Sequence, residues 1–134
     1  DLHLSLRRQR QMCIRDRVIT KGLVKLGLLD GDPEELHKSG AYKEFYMHKI
    51  GHWLGLDVHD AGDYVEGEEY MKFKPGMITT IEPGIYISSS MDVDDKWKGI
   101  GIRIEDDILV TKDGNENLTK KVPSDPEEIE SLMS

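Results

Sequence analysis

Cysteine is nearly absent: Cys13 is the single one in 134 residues. That excludes an internal disulfide framework and a thiolate-based structural zinc site, and it suits a reducing, cytoplasmic setting. Long apolar runs are missing too. No stretch approaches the ~20 residues a membrane helix requires, so no span is expected. Positive charge is in deficit, with a formal net charge of −8. Nucleic-acid binding depends on Lys and Arg neutralising phosphates, so a polyanionic partner is not expected. What remains is a chain 37% hydrophobic and 33% charged, the size of one ordinary globular domain.

The scarcity is uneven. Residues 1–17 contain five arginines and no lysine, whereas residues 18–134 contain 12 lysines and one arginine, Arg103. Against their acidic residues the two parts carry +3 and −11. The first part lacks the apolar core and small-residue cleavage site of a targeting peptide. Its "MCIRDR" (residues 12–17) resembles a peptide that arises when sequencing-adapter DNA is translated by mistake. Residues 1–17 are therefore expected to be a disordered, non-native leader, and residues 18–134 the domain.

Val18, Leu23, Leu26 and Leu29 predict a short helix ending at the Asp30-Gly31 turn. "DPEELHKSG" predicts a second, with Pro33 at its first position and Gly40 closing it. "EFYMHK", "LGLDVH", "MITTIE", "GIYIS" and "GIRIEDDILVT" are short and rich in β-branched or aromatic residues, and are expected as strands. "SDPEEIESLM" predicts a last helix capped by Ser124 or Asp125. The expected class is α+β, an antiparallel sheet backed by helices.

Three of the five histidines fall within "HKIGHWLGLDVHD", residues 48–60. His48 and His52 have the spacing of a helical zinc motif, but Lys49 occupies the position of its glutamate, and Gly51 and Gly55 disfavour a helix. In an extended segment His59 has the opposite parity, so only a bend brings all three together. Glu82 stands where a strand meets the Pro83-Gly84 turn, a place for a displayed site residue or for an ordinary exposed charge. Glu105 shares a strand face with Arg103, so an Arg–Glu pair competes with a ligand role. One imidazole with two carboxylates is a hard donor set that suits Mn²⁺, with Fe²⁺, Co²⁺ or Zn²⁺ as competitors.

"HKIGHWLGLDVHD", "KPGMITTIEPGIYI", "GIGIRIEDDILVT" and "GNENLT" together resemble the C-terminal catalytic half of aminopeptidase P, the Xaa-Pro aminopeptidases of the pita-bread metallopeptidases. The resemblance covers about residues 18–133, and prolidase, the Xaa-Pro dipeptidase, is its nearest rival. It implies a partial pita-bread fold and a dinuclear centre, with Mn²⁺ the expected metal, that activates a bridging water. His52 would be the histidine ligand, Glu82 a carboxylate ligand and proton shuttle, and Glu105 the carboxylate bridging both ions. His59 would face the scissile carbonyl and His48 would line the proline pocket. Arg103 and Tyr86 would orient the carboxylates from behind. The substrates implied are peptides with proline second, and the parent protein would be a homo-oligomer.

The pattern breaks in one respect. Two aspartate ligands of the family precede the first helix, and Asp1, Asp16, Asp30 and Asp32 are not assigned to them. Three of five ligands remain, so this chain alone is expected to be inactive and to expose a sheet edge and an apolar face. Lys49 also stands where many members have glycine. A pita-bread sheet without working metals, used for binding, is the third alternative.

Overall fold

The computed structural model describes residues 8–134, with side chains from Cys13 onward. Three α-helices, α1 (Arg8–Lys25), α2 (Pro33–Ser39) and α3 (Pro126–Met133), accompany seven short strands. These are β1 (Val65–Glu66), β2 (Glu69–Tyr70), β3 (Ile78–Ile81), β4 (Gly84–Tyr86), β5 (Gly101–Arg103), β6 (Asp106–Val110) and β7 (Asn115–Asn117). They form three antiparallel groups, β1-β2, β3-β6-β7 and β4-β5.

The disorder expected for residues 1–17 does not extend over residues 8–17, which are helical; residues 1–7 lie outside the described residues. The reason is polar. Asp16 is buried and accepts a hydrogen bond from the Tyr42 hydroxyl at 2.7 Å and one from Arg15 Nε at 2.6 Å. Arg15 also lies over the Tyr46 ring, 4.4 Å from its centroid, and donates to the Tyr46 hydroxyl at 3.2 Å.

Helix α1 buries Asp16, Ile19, Thr20 and Leu23, the i, i+3, i+4, i+7 stripe of a packed helix. Val18 and Leu26, expected on that stripe, are exposed instead. The helix stops before the Asp30-Gly31 turn because Gly27, at φ 72°, closes it with bonds from Gly27 N to Val24 O and from Leu28 N to Leu23 O. Leu28 then packs back on the core with Leu23, the apolar contact that accompanies this type of cap. Helix α2 starts and ends as expected. Asp32 accepts from the Glu34 and Glu35 amides at 3.0 Å each, and Gly40 closes it in the left-handed region.

Two expected strands are not strands. "EFYMHK" (residues 44–49) begins on the last residue of a 3₁₀ turn (Ala41–Glu44), and its Phe45 and Tyr46 are buried with Tyr42 of that turn at helical rather than alternating spacing. "LGLDVH" is a loop with Leu56 and Val58 in solvent. The other three expectations hold, except that "GIRIEDDILVT" splits into β5 and β6 at Ile104-Glu105. Helix α3 is capped by Asp125.

The split has a partner on the facing strand, where Pro83 interrupts β3 and β4. Ile81 pairs with Asp106 and Gly84 with Arg103, so residues 78–86 and 101–109 form a single antiparallel ribbon kinked in the middle. A bond from Ile104 N to Pro83 O, 3.2 Å, holds the kink together. The core lies between α1, the 3₁₀ turn and β4, formed by Ile19, Leu23, Leu28, Tyr42, Phe45, Tyr46 and Ile87. Beside it an apolar groove of about 290 Å³ runs past Ile19, Leu26, Ile85, Ile102 and Ile104, the last two exposed.

Candidate metal centre

The register of the kinked ribbon fixes the first relationship. With Ile81 opposite Asp106 and Gly84 opposite Arg103, the intervening Glu82 and Glu105 stand opposite each other. Like charges so placed repel unless something positive lies between them. Glu82 is 7% exposed, which makes the demand for a counter-charge acute.

The histidine arrives from a third segment. Residues 50–54 run beside β3 through bonds from Glu82 N to Ile50 O (2.7 Å), Thr80 N to His52 O (3.0 Å) and Leu54 N to Ile78 O (3.2 Å). So close an approach requires glycine at residue 51, where a Cβ would fall 1.9 Å from the Thr80 carbonyl oxygen. The Thr80 hydroxyl, in a side chain 1% exposed, accepts from the His52 amide at 2.9 Å and donates to Glu82 Oε1 at 2.9 Å. His52, Glu82 and Glu105 thereby each present one ligand atom, all within 4.8 Å of one another.

The protonation pattern fits a cation. His52 Nδ1 lies 2.9 Å from the Trp53 carbonyl oxygen. A carbonyl only accepts, so Nδ1 carries the proton, and in the neutral ring Nε2 keeps a lone pair. That lone pair lies 3.6 Å from Glu82 Oε1, acceptor facing acceptor. Metal-ligating histidines are commonly fixed by such a bond at the other ring nitrogen. A divalent cation satisfies His52, Glu82 and Glu105 together.

The remaining site residues surround this group. The loop after Gly55 folds back, with Asp60 N bonded to Trp53 O at 3.0 Å, and a Cβ at Gly55 would strike the Asp60 carboxylate. The bend brings His59, exposed, edge-on to His52 with ring centroids 4.4 Å apart. On the other side, Arg103 Nη1 lies 3.4 Å from Glu82 Oε2, so the ion pair Arg103 makes runs across the ribbon. Arg103 Nε donates to the Tyr86 hydroxyl at 2.8 Å. That hydroxyl donates to His48 Nε2, also at 2.8 Å, because His48 Nδ1 gives its proton to the Lys49 carbonyl. Gly84 opens the way, since a Cβ there would sit 2.7 Å from the Tyr86 hydroxyl. The Tyr86 bond holds the Arg103 guanidinium more firmly in its charged form.

Sequence reasoning missed two contributors. Thr80 lies two residues before Glu82 on the same strand face, and that parity was the available signal. Arg15, whose Nη1 donates to the His48 carbonyl at 3.4 Å, gave none, because Tyr46 and His48, the partners that tie it to the site, are more than thirty positions away.

The profile of metallopeptidase family M24 matches residues 12–112. Xaa-Pro aminopeptidase of Escherichia coli strain K12 is 53% identical over 117 residues, 87% of this chain and 26% of that protein. Its counterpart in Haemophilus influenzae is 52% identical over 118 residues, covering 88% and 27%. Among solved structures, Pseudomonas aeruginosa aminopeptidase PepP matches with a TM-score of 0.84 and 58% identity over 88% of this chain and 27% of that one. The chain thus spans about a quarter of the length of these relatives. The expected fold, α+β and part of a pita-bread domain, holds. This chain belongs to metallopeptidase family M24.

Proposed function

We propose that residues 18–134 are the C-terminal part of the catalytic domain of a dinuclear Xaa-Pro aminopeptidase, a cytoplasmic homo-oligomer that removes the first residue from peptides with proline second. The observation that carries this reading is the meeting of His52, Glu82 and Glu105 within 4.8 Å, two of them opposed on one ribbon. Names of the similar proteins support the substrate class.

Two divalent cations, Mn²⁺ before the alternatives, supply Lewis-acid activation of a water and of the scissile carbonyl when bound. The chain's own residues do the rest. Glu82 takes up the proton released as the water attacks and passes it to the leaving imino nitrogen. His59, exposed beside His52, directs a ring N–H at the carbonyl oxygen as negative charge develops there. His48 lines the wall that receives the proline ring, held in orientation by Tyr86. Arg103 and Tyr86 fix the Glu82 carboxylate so that its proton transfer needs little reorganisation.

Three of the family's five ligands lie on this chain, so we expect it to be inactive alone. The test is to extend the reading frame upstream, express the longer protein and supply Mn²⁺. Release of the first residue from Xaa-Pro tripeptides and longer peptides is the expected result. Cleavage confined to Xaa-Pro dipeptides assigns a dipeptidase instead, and no cleavage of either overturns the catalytic reading.

A further inference from the structure

Between the His52 backbone amide and the Glu82 carboxylate of the candidate centre lies a single hydroxyl group. Thr80 Oγ1 accepts from the backbone amide of His52 and donates to Glu82 Oε1, both at 2.9 Å. The side chain is 1% exposed, so water does not compete for either bond. A threonine side chain is stiff at χ1, which gives the hydroxyl a fixed direction. The oxygen it holds is the same one that faces His52 Nε2 at 3.6 Å.

We propose that Thr80 is a positioning residue for metal binding: its hydroxyl locks the His52 segment and the Glu82 carboxylate into the separation that one cation requires. The inference rests on the metal reading given above and adds a residue to it. Without the hydroxyl, Glu82 Oε1 loses the hydrogen bond that directs it towards His52, and among the described residues the Arg103 contact on Oε2 does not replace it. The His52 amide also loses its acceptor. Gly51 belongs to the same device, because a Cβ there would come 2.9 Å from Thr80 Oγ1 as well as striking the carbonyl.

The rival explanation is that Thr80 merely satisfies a buried amide and contributes to folding. Two readouts on the 134-residue chain separate them: Co²⁺ titration followed by visible d–d absorption, and hydrogen exchange at the His52 amide. Thr80→Val removes the hydroxyl at nearly constant volume, and Thr80→Ala carries the test if the valine variant does not fold. We expect either variant to bind Co²⁺ about 10–100-fold more weakly than wild type and to exchange the His52 amide faster, with Thr80→Ser close to wild type in both. Unchanged Co²⁺ affinity in the folded valine or alanine variant overturns the proposal, as does a serine variant as weak as valine. If the wild-type chain takes up no Co²⁺, the same titrations are made on the upstream-extended protein, and a wild type that takes up none there overturns the metal reading itself.

Discussion

Glu82 and Glu105 are cross-strand neighbours at the kink of one β-ribbon, brought opposite each other by a register that holds on both sides of Pro83. A fold that places two carboxylates this way has made a site that is unfavourable when empty. Replacing Glu105 by Gln is therefore expected to raise the urea midpoint of the metal-free chain. The same change is expected to abolish the stabilisation by metal expected of the wild type, about 2.7 kcal/mol at a hundredfold excess over Kd. Paired urea titrations with and without Mn²⁺ check both directions.

Gly51 is a place where one methyl group has no room. With its Cβ 1.9 Å from a backbone oxygen, Gly51→Ala must push residues 50–54 away from β3. A loss of about 1–3 kcal/mol is expected. Gly67→Ala, at an open turn with φ 65° and nothing within 4 Å, is expected to cost only its backbone strain, about 1 kcal/mol. Chemical denaturation of the two variants ranks them.

The helix phase is testable in the same way. Leu23 is fully buried, so Leu23→Ala should cost about 2–5 kcal/mol. Val18, 64% exposed, should lose less than about 0.5 kcal/mol on the same change. Equal losses would mean that α1 is rotated from the arrangement described.

Alkaline pH should find the Tyr42 region first. Burial, then the bond to Asp16, pushes the Tyr42 hydroxyl up to about 12, and burial also raises Tyr46 against the opposing effect of Arg15. Both groups are acids whose proton is held more tightly in the folded state. Their stabilisation is whole below pH 10 and declines above it, and the Tyr42 share is lost as pH rises towards 12, at up to about 1.4 kcal/mol per pH unit. Unfolding free energies measured at pH 8, 10 and 11 should fall over that window, and less steeply in Tyr42→Phe.

Much of the site could be read from the sequence because its residues sit in short motifs with fixed parity. Glu82, Glu105 and Arg103 share one face of strands that are recognisable by alternation, and the structure places them together. The bend that joins His59 to His52 was signalled only by Gly51 and Gly55, which permit close approach without saying to what. Tyr42, Phe45 and Tyr46 misled because a short apolar run has no length to distinguish a turn of helix from a strand. The burial of Asp16 was invisible for another reason: Tyr42, which satisfies it, lies 26 positions away.

The candidate ligand group gathers positions 52, 82 and 105, which are distant in the chain and meet only after three separate segments have paired. Contacts of this kind form late, when most loop-closure entropy has already been lost. A cation bound there stabilises the finished fold without favouring the transition state that leads to it. Its effect is therefore felt in time more than in speed of assembly, as a slower escape from the native state with the folding rate almost unchanged.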